Sequence, residues 1–257
     1  MSKKNINDYE LGKRMKSYEN QYNQPMTTKN PVILRIDGRA FHTYTKQFTS
    51  KPYNEELSNA MQETMSYLCK NIDNCILGYT QSDEITLVLY DLDMKLHTPW
   101  FNNREQKIVS VAASMATIKF NSLVHAKQFA FFDCRAFTVR TLEEVLNCVY
   151  YRQRDAKRNS IQMLARSLFP QRELQGLSTK ELKAKCLKEK NINWDTDIPS
   201  VYYWGSTIHK IPRHNDSMGD VVPAQWELNQ NLPMVHSAWD QYMKFLTDPL
   251  LARYDIK

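Results

Sequence analysis

Glycine is scarce, at 6 residues in 257. Phosphate-binding loops of the Walker and dinucleotide types need clustered glycines, and neither G-x-x-x-x-G-K-[ST] nor G-x-G-x-x-G occurs. Any phosphate chemistry must therefore rest on metal ions, on Lys and Arg side chains and on a few backbone amides. The sequence also lacks C-x-x-C. Its five cysteines, Cys69, Cys75, Cys134, Cys148 and Cys186, are scattered and odd in number. That excludes a zinc ribbon and a disulfide framework, and it suits a reducing compartment. No window approaches the ~20 apolar residues of a membrane span. The first residues, MSKKNINDYELGKRMKSYEN, have no apolar core of a secretory signal. The expected location is the cytoplasm. Internal repeats and low-complexity tracts are absent as well.

What is present is ordinary in bulk and informative in order. Apolar residues make up 42% and charged residues 24%, as in a globular protein. The length allows one large domain, or a catalytic core with an appended helical part. A net charge of +6 favours a polyanionic partner through steering and counterion release. Residues 7–21 read as a polar helix carrying Tyr9, Leu11, Met15 and Tyr18. PVILRIDG (31–38) is a short apolar run closed by Asp-Gly, a strand with its exit turn. Residues 54–70 place Leu57, Met61, Met65 and Leu68 at helical spacing. NCILGYTQSDEITLVLYD (74–91) reads as two strands joined by a tight turn at Thr80–Asp83. Residues 102–123 place Ile108, Val111, Ala112, Met115, Ile118 and Leu123 on one helical face. A fourth strand follows within 128–140.

This order is βαββαβ, the split arrangement of ferredoxin-like domains. It predicts an α+β fold with a palm-like antiparallel sheet and helices on one face, over residues 1–140. A helical and β extension, 141–257, would complete the site. In such a sheet the third strand lies between the first two and antiparallel to both. Asp37, at the end of the first strand, would then meet Asp83 and Glu84 on the hairpin between the second and third. Hard carboxylate oxygens converging from different strands suit two divalent ions bound with triphosphate oxygens and water. Gly38 would let a backbone carbonyl approach the metal. Taken singly, Asp37-Gly38 also reads as a plain turn and Asp83-Glu84 as a solvated hairpin tip.

Beyond 140 a helix is expected over 141–169, with Leu142, Val145, Leu146 and Val149 in register. The apolar stripe then breaks at Arg152, Asp155 and Asn159, which marks Arg152 and Asn159 as candidate inward-facing residues. Residues 171–199 are polar and Lys-rich, with Lys180, Lys183, Lys185, Lys188 and Lys190. They form either a solvated helix or a phosphate-contacting surface. VYYWGSTIHKI (201–211) reads as a β segment. Residues 212–257 read as loop plus a helix near 236–247. Trp100, Trp194, Trp204, Trp226 and Trp239 are read as core or interface.

Several motifs carry a family resemblance. RIDGRAFHTYTKQFTSKPYNEEL (35–57) resembles the opening motif of the tRNA(His) guanylyltransferase family, R-x-D-G-R-x-F-H followed by K-P. YTQSDEITLVL (79–89) is similar to its second motif, Q-S-D-E before an apolar strand. YYRQRDAKRNSIQML (150–164), ELQGLSTKELKAKCLKEKNIN (173–193) and YYWGSTIHK (202–210) extend the likeness over about 30–210. The resemblance implies a metal-dependent nucleotidyltransferase that extends tRNA 5′ ends in the 3′→5′ direction. The 5′ monophosphate is first activated with ATP, and the 3′-OH of an incoming nucleotide then attacks the activated phosphate. It implies Mg²⁺ bound by Asp37, Gly38 and Asp83, with Glu84 in support. Arg39, Ala40, Phe41, His42, Lys51 and Ser82 would line the nucleotide pocket, where ATP, GTP or other NTPs bind. Phe41 also reads as core, His42 as a packed histidine and Lys51 as a solvated side chain. Arg35, Arg135, Arg152, Asp155, Lys157, Asn159 and Lys190 are candidate contacts to tRNA or triphosphate. A homotetramer is implied too.

One stretch departs from the family. Where H-I-N-N is typical, this chain has Lys157 and Arg158 in place of the His and Ile. That stretch is associated with enzymes dedicated to adding G at position −1 of tRNA(His). Its loss resembles the "like" branch, whose members repair 5′-truncated tRNAs by templated addition. The competing readings are a dedicated tRNA(His) guanylyltransferase, a nucleotidyl cyclase on a similar sheet, and a non-catalytic RNA-binding protein that keeps the fold.

Overall fold

The computed structural model describes residues 8–23, 25–27, 29–90, 98–211, 214–215, 221–222 and 224–251. The expected order appears. Helix α1 (Asp8–Glu19) precedes β1 (Val32–Gly38), the short α2 (Phe41–Tyr44), α3 (Glu55–Asn71), β2 (Cys75–Gln81), β3 (Glu84–Leu89), α4 (Glu105–Leu123) and β4 (Phe132–Thr138). The extension supplies α5 (Leu142–Leu168), α6 (Gln171–Leu174), α7 (Thr179–Lys190), α8 (Trp194–Asp197), β5 (Ser206–Ile211), the two-residue strands β6 (His214–Asn215) and β7 (Val221–Val222), β8 (Gln225–Asn229) and α9 (Trp239–Leu251). The first part of the 212–257 stretch lies partly outside the described residues.

One six-stranded sheet runs β4-β1-β3-β2-β5-β8, with every neighbouring pair antiparallel. The third strand does lie between the first two. Strands β5 and β8 of the extension continue the same sheet. Strand alternation sorts the core into two layers. Val32, Leu34 and Ile36 of β1, with Ile85, Leu87 and Leu89 of β3, face α3 and α4. Ile33 and Val88 face the opposite way, into a layer closed by Val145, Leu146 and Val149 of α5 and by Tyr242, Leu246 and Leu250 of α9. The two crossover helices thus share one face, and the extension covers part of the other.

Local chemistry explains the helix starts. The Asn54 side chain accepts the N–H of Leu57 at 3.0 Å and so caps α3. Thr141 does the same for α5, and Ser178 with Glu181 forms a capping box on α7. Two readings of the helices need correction. The buried stripe of α4 is Ile108, Ala112, Ala116 and Phe120, a strict every-fourth spacing whose alanines let the helix lie close to the sheet. Ile118 is 71% exposed, being about 200° round the helix from Ala116. In α5 the buried stripe does not end but turns polar, through Gln153, Ala156 and Ser160, before Ile161 and Leu164. Each polar member docks another segment. Gln153 accepts from the Val235 N–H at 2.8 Å and donates to the Tyr242 hydroxyl. The Ser160 hydroxyl takes the Trp194 indole N–H at 3.1 Å and bonds the Tyr53 hydroxyl at 2.8 Å. Buried polar groups are affordable here because each is satisfied. Asn159, read as inward-facing, is exposed: it lies on the flank of this stripe.

Candidate active site

Asp37 stands directly opposite Glu84 on β3 and Asp133 on β4. Directly opposed residues of antiparallel strands point to the same face. Here that face is the one covered by α5 on one side and open at β4. Between β2 and β3 the turn is only Ser82 and Asp83, tighter than the four residues read from sequence. The Gly38 N–H donates to the Asp83 carbonyl at 2.9 Å and locks the end of β1 to that turn. The two aspartates are thereby brought together from positions far apart in the chain. Gly38 has a packing reason of its own, since a Cβ there would meet the Phe41 ring at 2.2 Å. Ser82 and Ala40, on the two facing loops, hold φ near +51° and +52° without being glycine. Such backbone costs about 1–3 kcal/mol and gathers at functional sites.

The three carboxylates have opposite surroundings. Glu84 is buried and receives Arg152 through a fork, Nε and Nη2 both at 2.6 Å. Arg35 Nε lies 3.1 Å from the same carboxylate and its Nη2 3.4 Å from Asp37. Burial pushes the Glu84 carboxyl up, and the hydrogen bonds and charge of Arg152, with the charge of Arg35, offset part of that. Burial likewise opposes the charge on Arg152, but the Glu84 hydrogen bonds outweigh it and raise its pKa. Asp155 extends the chain of charges, 3.2 Å from Arg152 and also paired with Arg158. Asp83 has no such partner among the described residues. Burial first, and the Asp37 charge second, push its carboxyl up to about 6, against the help of its own backbone N–H and the Ser82 hydroxyl.

Two carboxylates that repel each other at a partly open sheet end concentrate negative charge that a cation would offset. Among the described residues no group of three or more His, Cys, Asp and Glu side chains is placed to hold a metal ion. Mg²⁺ does not need one: it is commonly held by one or two carboxylates, with phosphate oxygens and water completing the shell. Asp37, Asp83 and the Gly38 carbonyl fit that requirement.

Beside the turn opens a cavity of about 350 Å³, lined by Ser82, Lys51, Tyr53, Tyr202 and Arg166 among others. Tyr53 and Tyr202 stack with ring centroids 4.6 Å apart. Of the expected pocket residues, Ser82, Lys51 and the edge of Phe41 reach this cavity. Phe41 is otherwise core, packed on Tyr44, Phe120 and Phe132. Arg39 and Ala40, on the loop next to it, and His42, on α2, lie exposed, with His42 Nε2 3.1 Å from Thr43 Oγ1. Lys157 sits between Trp204 and Trp194, its ammonium 5.0 and 5.9 Å from the ring centroids. Lys190 is not with the carboxylates. It lies over Phe169 in the separate cluster that α5 forms with α6–α8. Arg135 is exposed beside Arg35 on the open sheet face. Sequence reading missed Asp133, Tyr53, Tyr202 and Arg166. The alternation of FDCRAFT marks Asp133 as outward-facing, but only the register shows that it faces Asp37.

Comparison with known proteins adds a separate line. Residues 12–140 match the tRNAHis guanylyltransferase family. A solved bacterial tRNA(His) guanylyltransferase-like protein in complex with ATP is 39% identical, covering 91% of this chain and 98% of that one with a TM-score of 0.81. Another, in complex with GTP, is 36% identical, covering 92% and 98% with a TM-score of 0.77. The tRNA(His) guanylyltransferase of Candida glabrata is 27% identical, over 69% of this chain and 81% of its own length. Sequence and sheet order therefore agree, and the chain belongs to the tRNAHis guanylyltransferase family of tRNA-modifying nucleotidyltransferases.

Proposed function

We propose that this chain adds nucleotides to tRNA 5′ ends in the 3′→5′ direction and repairs tRNAs that have lost 5′ nucleotides. The observation that carries the reading is the pairing of Asp37 with Asp83, in which Asp83 meets no cation among the described residues while Glu84 is doubly held. In the first step a 5′-phosphate oxygen attacks the α-phosphorus of ATP and pyrophosphate leaves. In the second the 3′-OH of an incoming nucleotide attacks the activated 5′ phosphate and AMP leaves. Mg²⁺ at Asp37, Asp83 and the Gly38 carbonyl would supply charge neutralisation for the triphosphate and activation of the attacking hydroxyl. The protein's own part is positioning. Arg152 fixes Glu84, Glu84 fixes Arg35, and Arg35 holds Asp37. Lys51 and Ser82 face the cavity, where they would meet triphosphate oxygens, with Arg39 on the loop and His42 on α2 beside them.

The choice of repair over dedicated G−1 addition rests on Lys157 and Arg158. Lys157 is held over two tryptophans and presents a fixed cation, which suits phosphate contact and carries no base specificity. With residues 1–140 as the catalytic part and 141–257 completing the site and the RNA contact, the enzyme would act as a cytoplasmic homotetramer. The test incubates the protein with Mg²⁺, ATP, all four NTPs and several tRNAs lacking their first 5′ nucleotide. Extension that matches the opposite 3′ strand on several tRNAs supports repair. If only tRNA(His) gains an extra G, the dedicated reading replaces it. If no RNA is extended although tRNA binds, the non-catalytic reading stands.

A further inference from the structure

The open half of the sheet face carries a second pattern that the chemistry above does not use. Along β4, Asp133, Arg135 and Phe137 point to the Asp37 side, because they stand opposite Asp37, Arg35 and Ile33. All three are exposed. One alternate step earlier Phe131 is 57% exposed, and its carbonyl accepts the Arg39 N–H at 2.8 Å, so this segment continues the β4 edge beside the catalytic loop. On this face α5 and α9 lie over β2 and β5, and among the described helices the main backing of β4 is α4, on the other side. Among the described residues nothing packs over these two large aromatics, Phe131 beside the end of β1 and Phe137 further along the same edge, opposite Ile33.

We propose that the β4 edge is a stacking platform for the substrate RNA, on which Phe131 and Phe137 hold unpaired bases at the 5′ end while Arg135 and Arg39 meet the phosphates. This rests on the function proposed above. The chemistry is that of sheet surfaces that bind single strands, where exposed aromatics supply sequence-tolerant stacking and neighbouring cations track the backbone. Successive outward residues are about 7 Å apart, a reach comparable to one extended nucleotide. The platform is continuous with the carboxylates, which must receive the RNA 5′ phosphate. Among the described residues neither Arg135 nor Asp133 makes an ion pair, so both are available to a ligand. Asp133 is an acceptor and fits a ribose hydroxyl or a base edge rather than a phosphate. A second copy of the chain is the less suited occupant, since interface centres are depleted in charge and this row alternates charge with aromatic.

The experiment measures binding of a 5′-truncated tRNA by filter retention, alongside transfer kinetics. The Phe131→Ala, Phe137→Ala double variant is expected to weaken RNA binding about thirtyfold or more with an unchanged KM for ATP in the activation step. Phe131→Leu, which keeps apolar bulk without a π face, is expected to weaken it less. Arg135→Gln is expected to lower the slope of log K against log salt by about one. Ile118→Ala, an equally exposed apolar residue on the other layer, leaves binding unchanged. RNA affinity within twofold of wild type in the double variant overturns the platform. So does a change of sedimentation mass with RNA affinity intact, which would assign the edge to a second copy. A wild-type protein that binds tRNA through these residues but transfers no nucleotide keeps the platform and overturns the catalytic reading.

Discussion

The sheet end and the lobe formed by α5–α8 treat charge in opposite ways. In the lobe Lys183 and Lys185 are matched. Lys183 pairs with Asp195 at 2.5 Å and lies over Trp194, and Lys185 bonds Glu189 at 2.8 Å with Glu173 at 3.3 Å. At the sheet end Glu84 is matched twice, yet Asp83 beside it in sequence meets no cation among the described residues and is destabilised by Asp37. Matched charges fasten one element to another. Unmatched ones, held in place by a rigid frame, leave a demand that a ligand from outside must meet. The Glu84–Arg152 fork and the Asp37–Asp83 pair are thus two parts of one device, the first paired so that the second can stay unpaired.

The most severe way to break this contrast is to remove the unmatched charge. Asp83→Asn is expected to lower nucleotide transfer about a thousandfold or more. The same change should stabilise the metal-free fold at neutral pH. Asp83 keeps its proton up to about pH 6 when folded against about 3.8 when unfolded. Its contribution to stability is therefore full below pH 3.8 and lost as pH rises through 6, leaving a cost above that. Each pK unit is worth about 1.4 kcal/mol, and partial exposure reduces the total to about 1–2 kcal/mol, read as a higher thermal midpoint. The matched charge gives the next effect. Arg152→Ala leaves Glu84 buried without its fork and is expected to cost about 3 kcal/mol of stability. Arg152→Lys keeps the charge but not the bidentate geometry, and should lower kcat by about tenfold to a hundredfold while leaving the KM for ATP near wild type. Loss of KM alone would mean that Arg152 contacts nucleotide instead of positioning the carboxylates.

A third measurement sharpens the role of Asp83. Mg²⁺ and the proton compete for the same oxygens. Stabilisation of the RNA-free protein by Mg²⁺ is expected to grow as pH rises through about 6, and to vanish in Asp83→Asn. A Mg²⁺ shift that is flat with pH and survives in the variant would place the ion elsewhere.

How far these features were legible in sequence depends on the interaction involved. Periodicity and order sufficed for the strand exchange that brings Asp37 to Asp83, because the register of a buried strand is set by its apolar face. The motifs pointed to the same residues. The fate of Glu84 was not legible, since its partner Arg152 lies 68 residues away on a helix whose rotation depends on packing. The polar continuation of α5 was misread for a related reason. The stripe reads as broken at Arg152, Asp155 and Asn159, because its true continuation, Gln153 and Ser160, is polar and is satisfied only by Tyr242, Val235, Trp194 and Tyr53 from far along the chain. On α4 apolar character alone put Ile118 in the core and passed over the small Ala116, which with Ala112 makes the true contact. Asp133 and the cavity aromatics depend on register and on chain segments far apart, which no local pattern encodes.

The smallest expected effect lies in the lobe, within a single helix. On α7, Lys185 is engaged with two acids, whereas Lys180 and Lys188 are exposed and pair with no acid among the described residues. If this helix touches tRNA, phosphates will find the lysines that have no prior partner, because an engaged ammonium must first give up its carboxylates. Lys180→Ala and Lys188→Ala are each expected to lower the salt slope of tRNA binding by about one, with a several-fold loss of affinity. Lys185→Ala is expected to change affinity by less than about twofold, as exposed ion pairs contribute little in either state. Equal losses at all three would mean that α7 acts through its total charge. No loss at any would make the Lys-rich helix a solvated scaffold, and the contrast between lobe and sheet end would then be complete.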